Sequence, residues 1–157
     1  MEKREEKAKI EFVVDTNILI SALIPKNSKL RDILLSGDFR IYAPEYLLKE
    51  LNKYWSLILE KAEKKGVSKS NIELAKEELL SKIIFEPDKF YRSRIEEAYT
   101  ICQKFDEKDT PFIALSLMLE IPILTNDHGI IENAGTCRVI TIEELFKQKI
   151  KNYDRKE

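Results

Sequence analysis

The stretch that most constrains the fold of this chain is a run of β-forming residues that ends directly in an acid. Residues 10–14 are Ile, Glu, Phe, Val and Val, and Asp15 follows with no Gly or Pro between. A nearly continuous apolar run of this length is typical of a strand buried on both faces, as in a parallel sheet. In open α/β sheets, ligands bind outside the carboxyl ends of the strands. Asp15 is therefore a candidate ligand-binding residue, although its position alone favours the simpler role of capping the next helix.

The size and composition of the chain are those of one ordinary domain. Its 157 residues carry a net charge of −1, so no overall basic field attracts nucleic acid, and any such binding needs a local patch or metal ions. We expect a charged tail at 1–9, a single domain at 10–150 and a second charged tail at 151–157. The first tail lacks the apolar core of a signal peptide and no apolar run is long enough to span a membrane, which predicts a cytoplasmic protein.

Strand-like and helix-like patterns alternate along the chain. The predicted strands are 10–15, 39–42, 82–85, 121–125 and 138–141. The predicted helices are 17–24, 29–35, 43–65, 72–81, 90–104, 112–119 and 142–149, and residues 126–129 are expected to form a turn. Strands that alternate with helices favour an α/β fold with a largely parallel sheet and helices on both faces.

Three acids stand at the ends of apolar elements, where a surface charge has no reason to be. Asp15 and Asp127 follow predicted strands, so both belong at the same edge of a parallel sheet. Asp109 precedes the apolar helix 112–119, where a helix cap is the simpler explanation. If Asp15 binds a ligand, Thr16 or Asn17 is left to cap the first helix.

A fourth acid is identified by the face of the long helix on which it lies. The apolar residues of that helix recur at intervals of three and four and form a buried stripe: Leu47, Leu51, Tyr54 and Ile58. At about 100° per residue, Glu50 lies about 60° from the centre of this stripe. Glu50 is therefore the acid of this helix that we expect to face the sheet edge; the alternative is a boundary side chain that extends to water.

Four carboxylates in one crevice would repel one another unless their pKa values rise or a cation binds. Ligands that are all oxygen favour hard ions, which here means Mg²⁺ or Mn²⁺. Such an ion can activate a water and offset charge on a phosphodiester. Asn17, Thr125 and Asn126 could position ligands or the attacking water through hydrogen bonds, although Asn126 could equally serve only the turn.

Four short stretches of the chain together resemble the motifs of PIN domains. They are residues 13–22 (VVDTNILISA), 44–51 (PEYLLKEL), 108–117 (KDTPFIALSL) and 123–127 (ILTND). Their order and spacing fit the family over about residues 10–145. The resemblance implies a PIN-like three-layer α/β/α fold with a mainly parallel central sheet.

The resemblance also implies a function and a set of site residues. It implies a nuclease that depends on Mg²⁺ or Mn²⁺ and usually acts on RNA, often as a toxin held in check by an antitoxin protein and often as a homodimer. Matched position by position, the metal-binding and catalytic acids would be Asp15, Glu50, Asp109 and Asp127. Asn17 and Thr125 match accessory polar positions.

Some segments of the chain depart from the family pattern or leave two interpretations open. Residues 57–81 form a long section rich in Lys and Glu, for which a solvated helical pair is preferred over a lid, a dimer face or an RNA-contacting surface. Asp106 and Glu107 lie just before Asp109, and either could replace or supplement one of the four acids. Lys26, Lys29 and Arg31 could contact phosphate, but a solvated basic loop explains them equally well.

These observations favour a metal-dependent endoribonuclease that acts on single-stranded or looped RNA. The alternative is a PIN-fold RNA-processing subunit, or a non-catalytic RNA-binding or scaffold module. A phosphatase with an acidic pocket is disfavoured, because it usually needs an aspartate at the position of Asn17.

Overall fold

A parallel sheet of five strands forms the centre of the part of the chain that is described, residues 9–154, without the side chains of 150–154. In this computed structural model the strands are β1 (Ile10–Val14), β2 (Phe39–Pro44), β3 (Ile83–Glu86), β4 (Ile123–Leu124) and β5 (Val139–Ile140). Their order in the sheet is β3-β2-β1-β4-β5, and every neighbouring pair is parallel. The predicted α/β fold with a mainly parallel central sheet is confirmed.

The strands are joined by helices that pack in two groups. The helices are α1 (Thr16–Leu23), α2 (Lys29–Leu35), α3 (Tyr46–Lys64), α4 (Lys69–Ser81), α5 (Asp88–Tyr91), α6 (Ile95–Cys102), α7 (Thr110–Leu119), α8 (His128–Asn133) and α9 (Ile142–Asp154). Helices α1 to α4 pack on one another and α2 contacts α9. On the other side, α5 and α6 pack on α7, which lies on β1, β2 and β4, and α8 packs on α6. The predicted three-layer α/β/α arrangement is thereby confirmed.

Strand β1 lies in the middle of the sheet and is buried as its sequence predicts. The side chains of Phe12, Val13 and Val14 are fully buried, because helices cover both faces. After β1 the chain turns to one side to form β2, and it returns much later to the other side as β4. The connections therefore diverge between the carboxyl ends of β1 and β4, and such a divergence opens a crevice in α/β sheets.

Several element boundaries differ from the predictions. Pro44 ends β2 instead of opening α3, because its strand pairs with β3 as far as Glu86. The predicted helix 90–104 is interrupted by a 3₁₀ turn at Arg92–Arg94. The predicted turn 126–129 overlaps the start of α8, which the sequence analysis missed.

The predicted charged tails lie mainly outside the described residues. Residues 1–8 and 155–157 are not described, so the division into tails and one domain stays a prediction. The backbone of α9 continues to Asp154, beyond the predicted helix end at Lys149. Within the described ranges, none of the helices has the length and apolar character needed to cross a membrane.

Candidate active site

Asp15 is buried at the junction of β1 and α1, and hydrogen bonds engage both of its carboxylate oxygens. Oδ1 accepts a hydrogen bond from the backbone N–H of Ile18 at 2.8 Å, which caps α1. Oδ2 accepts a hydrogen bond from the hydroxyl of Thr125 at 2.6 Å. Asp15 thus caps the helix itself, so the expectation that Thr16 or Asn17 would do so is wrong. Burial is the largest cause of the raised pKa of Asp15, and the charges of Asp127 and Glu50 raise it further.

Thr125 connects the ends of β1 and β4. Its side chain is fully buried, and its hydroxyl donates to Asp15 while accepting a hydrogen bond from the N–H of Asp127 at 3.1 Å. The backbone N–H of Thr125 bonds to the carbonyl of Ile140 in β5. Thr125 therefore fixes the relative positions of two acids that stand at the same edge of the sheet.

Asp127 begins α8 and is exposed at the edge of the crevice. Its Oδ1 accepts a hydrogen bond from the N–H of Ile130 at 3.2 Å, which caps α8. Gly129 allows this close packing: a Cβ there would lie 2.8 Å from the Cβ of Phe105 and 3.0 Å from Oδ1 of Asp127. The sequence analysis placed Gly129 only in a turn, because the contact with Phe105 is made across the fold.

Glu50 extends from α3 to the start of α1. Its Oε1 accepts a hydrogen bond from the hydroxyl of Thr16 at 2.8 Å, as expected for a side chain that faces the sheet edge. Burial raises the pKa of Glu50, while the positive charge of Lys108 lowers it. Thr16 is a site residue that sequence analysis missed as such, and its position directly after Asp15 was the available signal.

Asp109 is half-buried at the start of α7 and its side chain makes no capping hydrogen bond. The simpler interpretation of this acid as a helix cap is therefore wrong. Its pKa is raised to about 7, first by burial and then by the charges of the four other acids nearby, which are Asp106, Asp15, Asp127 and Glu50. These four acids therefore lie close enough to Asp109 for their charges to raise its pKa.

Asp106 lies in the turn before Asp109 and adds a further carboxylate near the predicted acids. Its Oδ1 accepts a hydrogen bond from the N–H of Lys108 at 2.9 Å and so organises the 3₁₀ turn Glu107–Asp109. Its charge also raises the pKa values of Asp109 and Glu50. Asp106 thus adds negative charge next to the carboxylate of Asp109.

The two predicted asparagine positions differ in what they do. Asn17 is exposed and lines a cavity of about 320 Å³ that also borders Glu50 and Asp109. The side-chain oxygen of Asn126 accepts a hydrogen bond from the N–H of Ile142 at 3.4 Å. Asn126 therefore supports the start of α9, a contact that the sequence did not predict.

The donor atoms of this cluster fit a hard divalent cation in their chemistry. They are carboxylate oxygens, and burial together with neighbouring negative charge raises the pKa values of Asp15, Glu50 and Asp109. A bound cation relieves this condition. Within the part of the chain that is described, no three His, Cys, Asp or Glu side chains are spaced to hold one ion together. The acids thus gather in one crevice without forming a closed set of ligands.

Arg31, which the sequence made a candidate for phosphate contact, is engaged with the backbone. Its guanidinium donates to the carbonyls of Ala22 at 3.1 Å, Pro25 at 3.3 Å and Lys26 at 3.0 Å. These carbonyls lie at and just beyond the end of α1, so the guanidinium satisfies backbone groups that the helix leaves without partners.

Comparisons with known proteins found a matching family and similar solved structures. The family model described as PIN domain matches residues 13–150. VapBC2 from Rickettsia felis, solved bound to a DNA fragment from their promoter, has a TM-score of 0.56 at 16% identity, over 84% of this chain and 98% of that one. FitAcB from Neisseria gonorrhoeae has a TM-score of 0.48 at 16% identity, over 82% of this chain and 96% of that one. No curated protein matches the sequence.

Proposed function

Because the chain belongs to the PIN domain family, we propose that it is a metal-dependent endoribonuclease. PIN domains are generally nucleases. The observation that carries the proposal is the gathering of Asp15, Glu50, Asp109 and Asp127 at the carboxyl edge of the sheet, where each of the three most buried acids has a raised pKa. Carboxylates gathered in this way need a cation to remain ionised together.

In this proposal Mg²⁺ or Mn²⁺ would draw the same four acids together, since the described structure does not space three of them to hold one ion. When bound, such an ion activates a water and offsets the charge that develops on a phosphodiester. Asp15 is kept in place by Thr125 and by the N–H of Ile18, so this acid provides the fixed point of the site. Thr16 orients Glu50 towards the same crevice. Asn17, Thr125 and Asn126 are proposed to position ligands or water through their polar groups.

The substrate is proposed to be single-stranded or looped RNA. Its backbone and bases are accessible, whereas those of a paired RNA helix are not. We further propose that the nuclease is the toxin of a toxin–antitoxin pair, with an antitoxin protein as its partner and a homodimer as its assembly. This part of the proposal is supported by the resemblance of the four motifs to PIN-domain toxins.

The test is incubation of the purified chain with RNA and Mn²⁺, with and without a chelator, beside the variants Asp15→Asn and Glu50→Gln. We expect cleavage that the chelator abolishes and that both variants lose. Glu45→Gln is the matched control, because Glu45 is an exposed acid at the start of the same helix and makes no capping bond. Cleavage that survives the chelator, or an active Asp15→Asn, would contradict the mechanism.

Calorimetry with Mg²⁺ or Mn²⁺ separates this proposal from its alternative. The nuclease should release or absorb heat on titration with either ion, and Asp109→Asn should reduce that heat. A folded chain that shows no heat and no cleavage, but binds RNA, would instead be a non-catalytic RNA-binding or scaffold module.

A further inference from the structure

A groove extends from the acid cluster along α3. It includes the cavity of about 320 Å³ between α1, α3 and the turn at Glu107–Asp109. Helix α3 lines the groove with one stripe of side chains, from Glu50 at the acid cluster through Tyr54 and Ile58 to Lys61. At 1.5 Å of rise per residue, Lys61 lies about 16 Å from Glu50 along the helix axis.

The middle of the groove has an apolar and aromatic surface. Tyr54 and Ile58 of α3 face it together with Ile20 of α1, and Leu57 contributes a side chain that is 48% exposed. An exposed leucine beside a half-buried tyrosine leaves apolar surface open to an incoming group. Nucleobases are flat, apolar on their faces and readily bound by aromatic side chains.

The groove also carries positive charge at two places. Lys61 lies at its far end, and Lys108 lies beside the acids, where its charge lowers the pKa of Glu50. Lys53 lies outside the lining of the groove and places its ammonium 5.3 Å from the centre of the Tyr54 ring. Asp106 is the one acid along the groove that lies outside the four proposed to hold metal, among the lining residues described.

We propose that this groove binds the RNA strand on one side of the scissile phosphodiester, with Tyr54 against a base and with Lys61 and Lys108 against phosphates. The inference rests on the proposed nuclease function and adds the path along which the RNA strand enters the site. A groove with aromatic and cationic walls is how proteins hold single strands without sequence preference. The cavity lies at the lower end of the sizes typical of ligand sites, which suits one unpaired nucleotide and not a helix.

Equilibrium binding of a short fluorescein-labelled single-stranded RNA to the full chain tests the role of Tyr54. The measurement is fluorescence anisotropy, first with a chelator present and then with Mg²⁺. Tyr54→Leu, which keeps an apolar side chain against the core, should weaken binding by at least about fivefold, because base stacking on an aromatic ring is lost. Tyr54→Phe keeps the ring and should stay within about twofold of the parent. Equal affinities for the parent and Tyr54→Leu would overturn the inference.

The salt dependence of the same binding tests Lys61. Loss of one phosphate contact to a single strand should lower the slope of log affinity against log salt by about 0.7. Lys61→Gln should show this change, whereas Lys65→Gln should not, since Lys65 is exposed at the end of the same helix and does not line the groove. An unchanged slope in Lys61→Gln would remove Lys61 from the strand path. A change of unfolding midpoint without a change of slope would assign it a structural role only.

Cleavage kinetics distinguish failure of this inference from failure of the proposed function. In an active nuclease, Tyr54→Leu and Lys61→Gln should raise KM more than they lower kcat, because they remove binding that substrate and transition state share. A chain that cleaves RNA with unchanged KM in both variants would contradict the strand path alone. A chain that binds RNA through Tyr54 and Lys61 but cleaves under no metal condition would contradict the nuclease and leave the strand path standing.

Discussion

The two helices that begin next to β1 start with the same pair of residues, Asp followed by Thr, and use them differently. In α1, Asp15 is 5% exposed and both of its carboxylate oxygens accept hydrogen bonds, while Thr16 donates to Glu50 across the crevice. In α7, Asp109 caps nothing, and Thr110 donates at 2.6 Å to the carbonyl of Glu107 in its own turn. The same dipeptide thus forms long-range bonds at one helix start and local ones at the other.

This difference implies different roles for the two aspartates in the site. Asp15 is held by the fold, so that its geometry is set before any ligand binds. Asp109 is half-buried, has negative charge nearby and makes no capping bond. Burial first, and then the neighbouring carboxylates, raise its pKa to about 7. A ligand that brings positive charge therefore stabilises Asp109 most, and substitutions at the two positions should separate stability from activity.

Neutralising either aspartate should have the largest effect on RNA cleavage. We expect Asp15→Asn and Asp109→Asn each to lower kcat/KM by more than about a hundredfold, because even residues that only orient metal ligands often cost 10- to 100-fold. The measurement is cleavage of a labelled RNA in Mn²⁺, with Glu45→Gln as the control. Full activity in Asp109→Asn would contradict a role for Asp109 in the active site.

Thr125→Val should have the next largest effect. The substitution keeps the shape of this fully buried side chain but removes the hydroxyl that bonds to Asp15 and accepts from Asp127. We expect a loss of about 10- to 100-fold in kcat/KM, as for residues that orient ligands. Thr136→Val, in an exposed position of the α8–β5 connection, should stay within about twofold of the parent. Unchanged cleavage in Thr125→Val would mean that the cap on α1 alone fixes Asp15.

Removing the carboxyl group of Asp15 should lower the free energy of unfolding more than removing that of Asp109. Asp15→Ala loses a helix cap and leaves the buried Thr125 hydroxyl without its acceptor, so the free energy of unfolding should fall by about 1–2 kcal/mol. Asp109→Ala loses no cap and should not fall by more than about 0.5 kcal/mol. Urea titration in the presence of a chelator measures both values. Equal losses of unfolding free energy in the two variants would show that the hydrogen bonds of Asp15 do not contribute more to stability than the position of an aspartate at a helix start.

The pH dependence of unfolding should show a smaller effect, in which the ionised carboxylate of Asp109 lowers the stability of the folded chain. Since the pKa of Asp109 is raised from 3.8 to about 7 on folding, the folded chain binds this proton more tightly than the unfolded chain. The free energy of unfolding should therefore fall as pH rises from about 4 to about 7 and then level off.

Asp109→Asn tests this dependence, because the variant cannot lose the proton. At pH 8 without metal, it should be more stable than the parent by about 1 kcal/mol, since solvent at the half-buried carboxyl reduces the full effect of the shift. Part of the pH dependence should remain in the variant, because burial also raises the pKa values of Asp15 and Glu50. A variant less stable than the parent at pH 8 would contradict the raised pKa.

The sequence could predict the features that depend on local pattern. The apolar run 10–14 indicated a buried strand because its residues alternate towards two covered faces, and the apolar stripe of α3 placed Glu50 on its inward flank. Both are properties of a strand or helix period, which can be counted along the chain. The predicted gathering of the acids followed from positions at element ends for Asp15, Asp109 and Asp127, and from the helix face for Glu50.

The remaining features depend on contacts between distant residues, which no local pattern contains. The bonds from Thr125 to Asp15 and from Thr16 to Glu50 join residues separated by 110 and 34 positions. Helix α8 was missed because it is only six residues long and begins in a stretch of turn-forming residues. Arg31 was a candidate for phosphate contact because its sequence neighbours are basic, and the fold instead directs it to α1.

Helix α1 is held at both ends: Asp15 caps its start, and Arg31 bonds to backbone carbonyls at its end. Arg31→Ala removes the guanidinium from three backbone carbonyls and should lower the free energy of unfolding by about 1 kcal/mol. RNA binding and its salt slope should not change, in contrast to Lys61→Gln. Lys29 is exposed in the same segment, so Lys29→Ala should change the free energy of unfolding by no more than about 0.5 kcal/mol and leave the salt slope unchanged. A lower salt slope in Arg31→Ala would instead place the basic loop on the RNA path, and α1 would then be anchored only at the end that Asp15 caps.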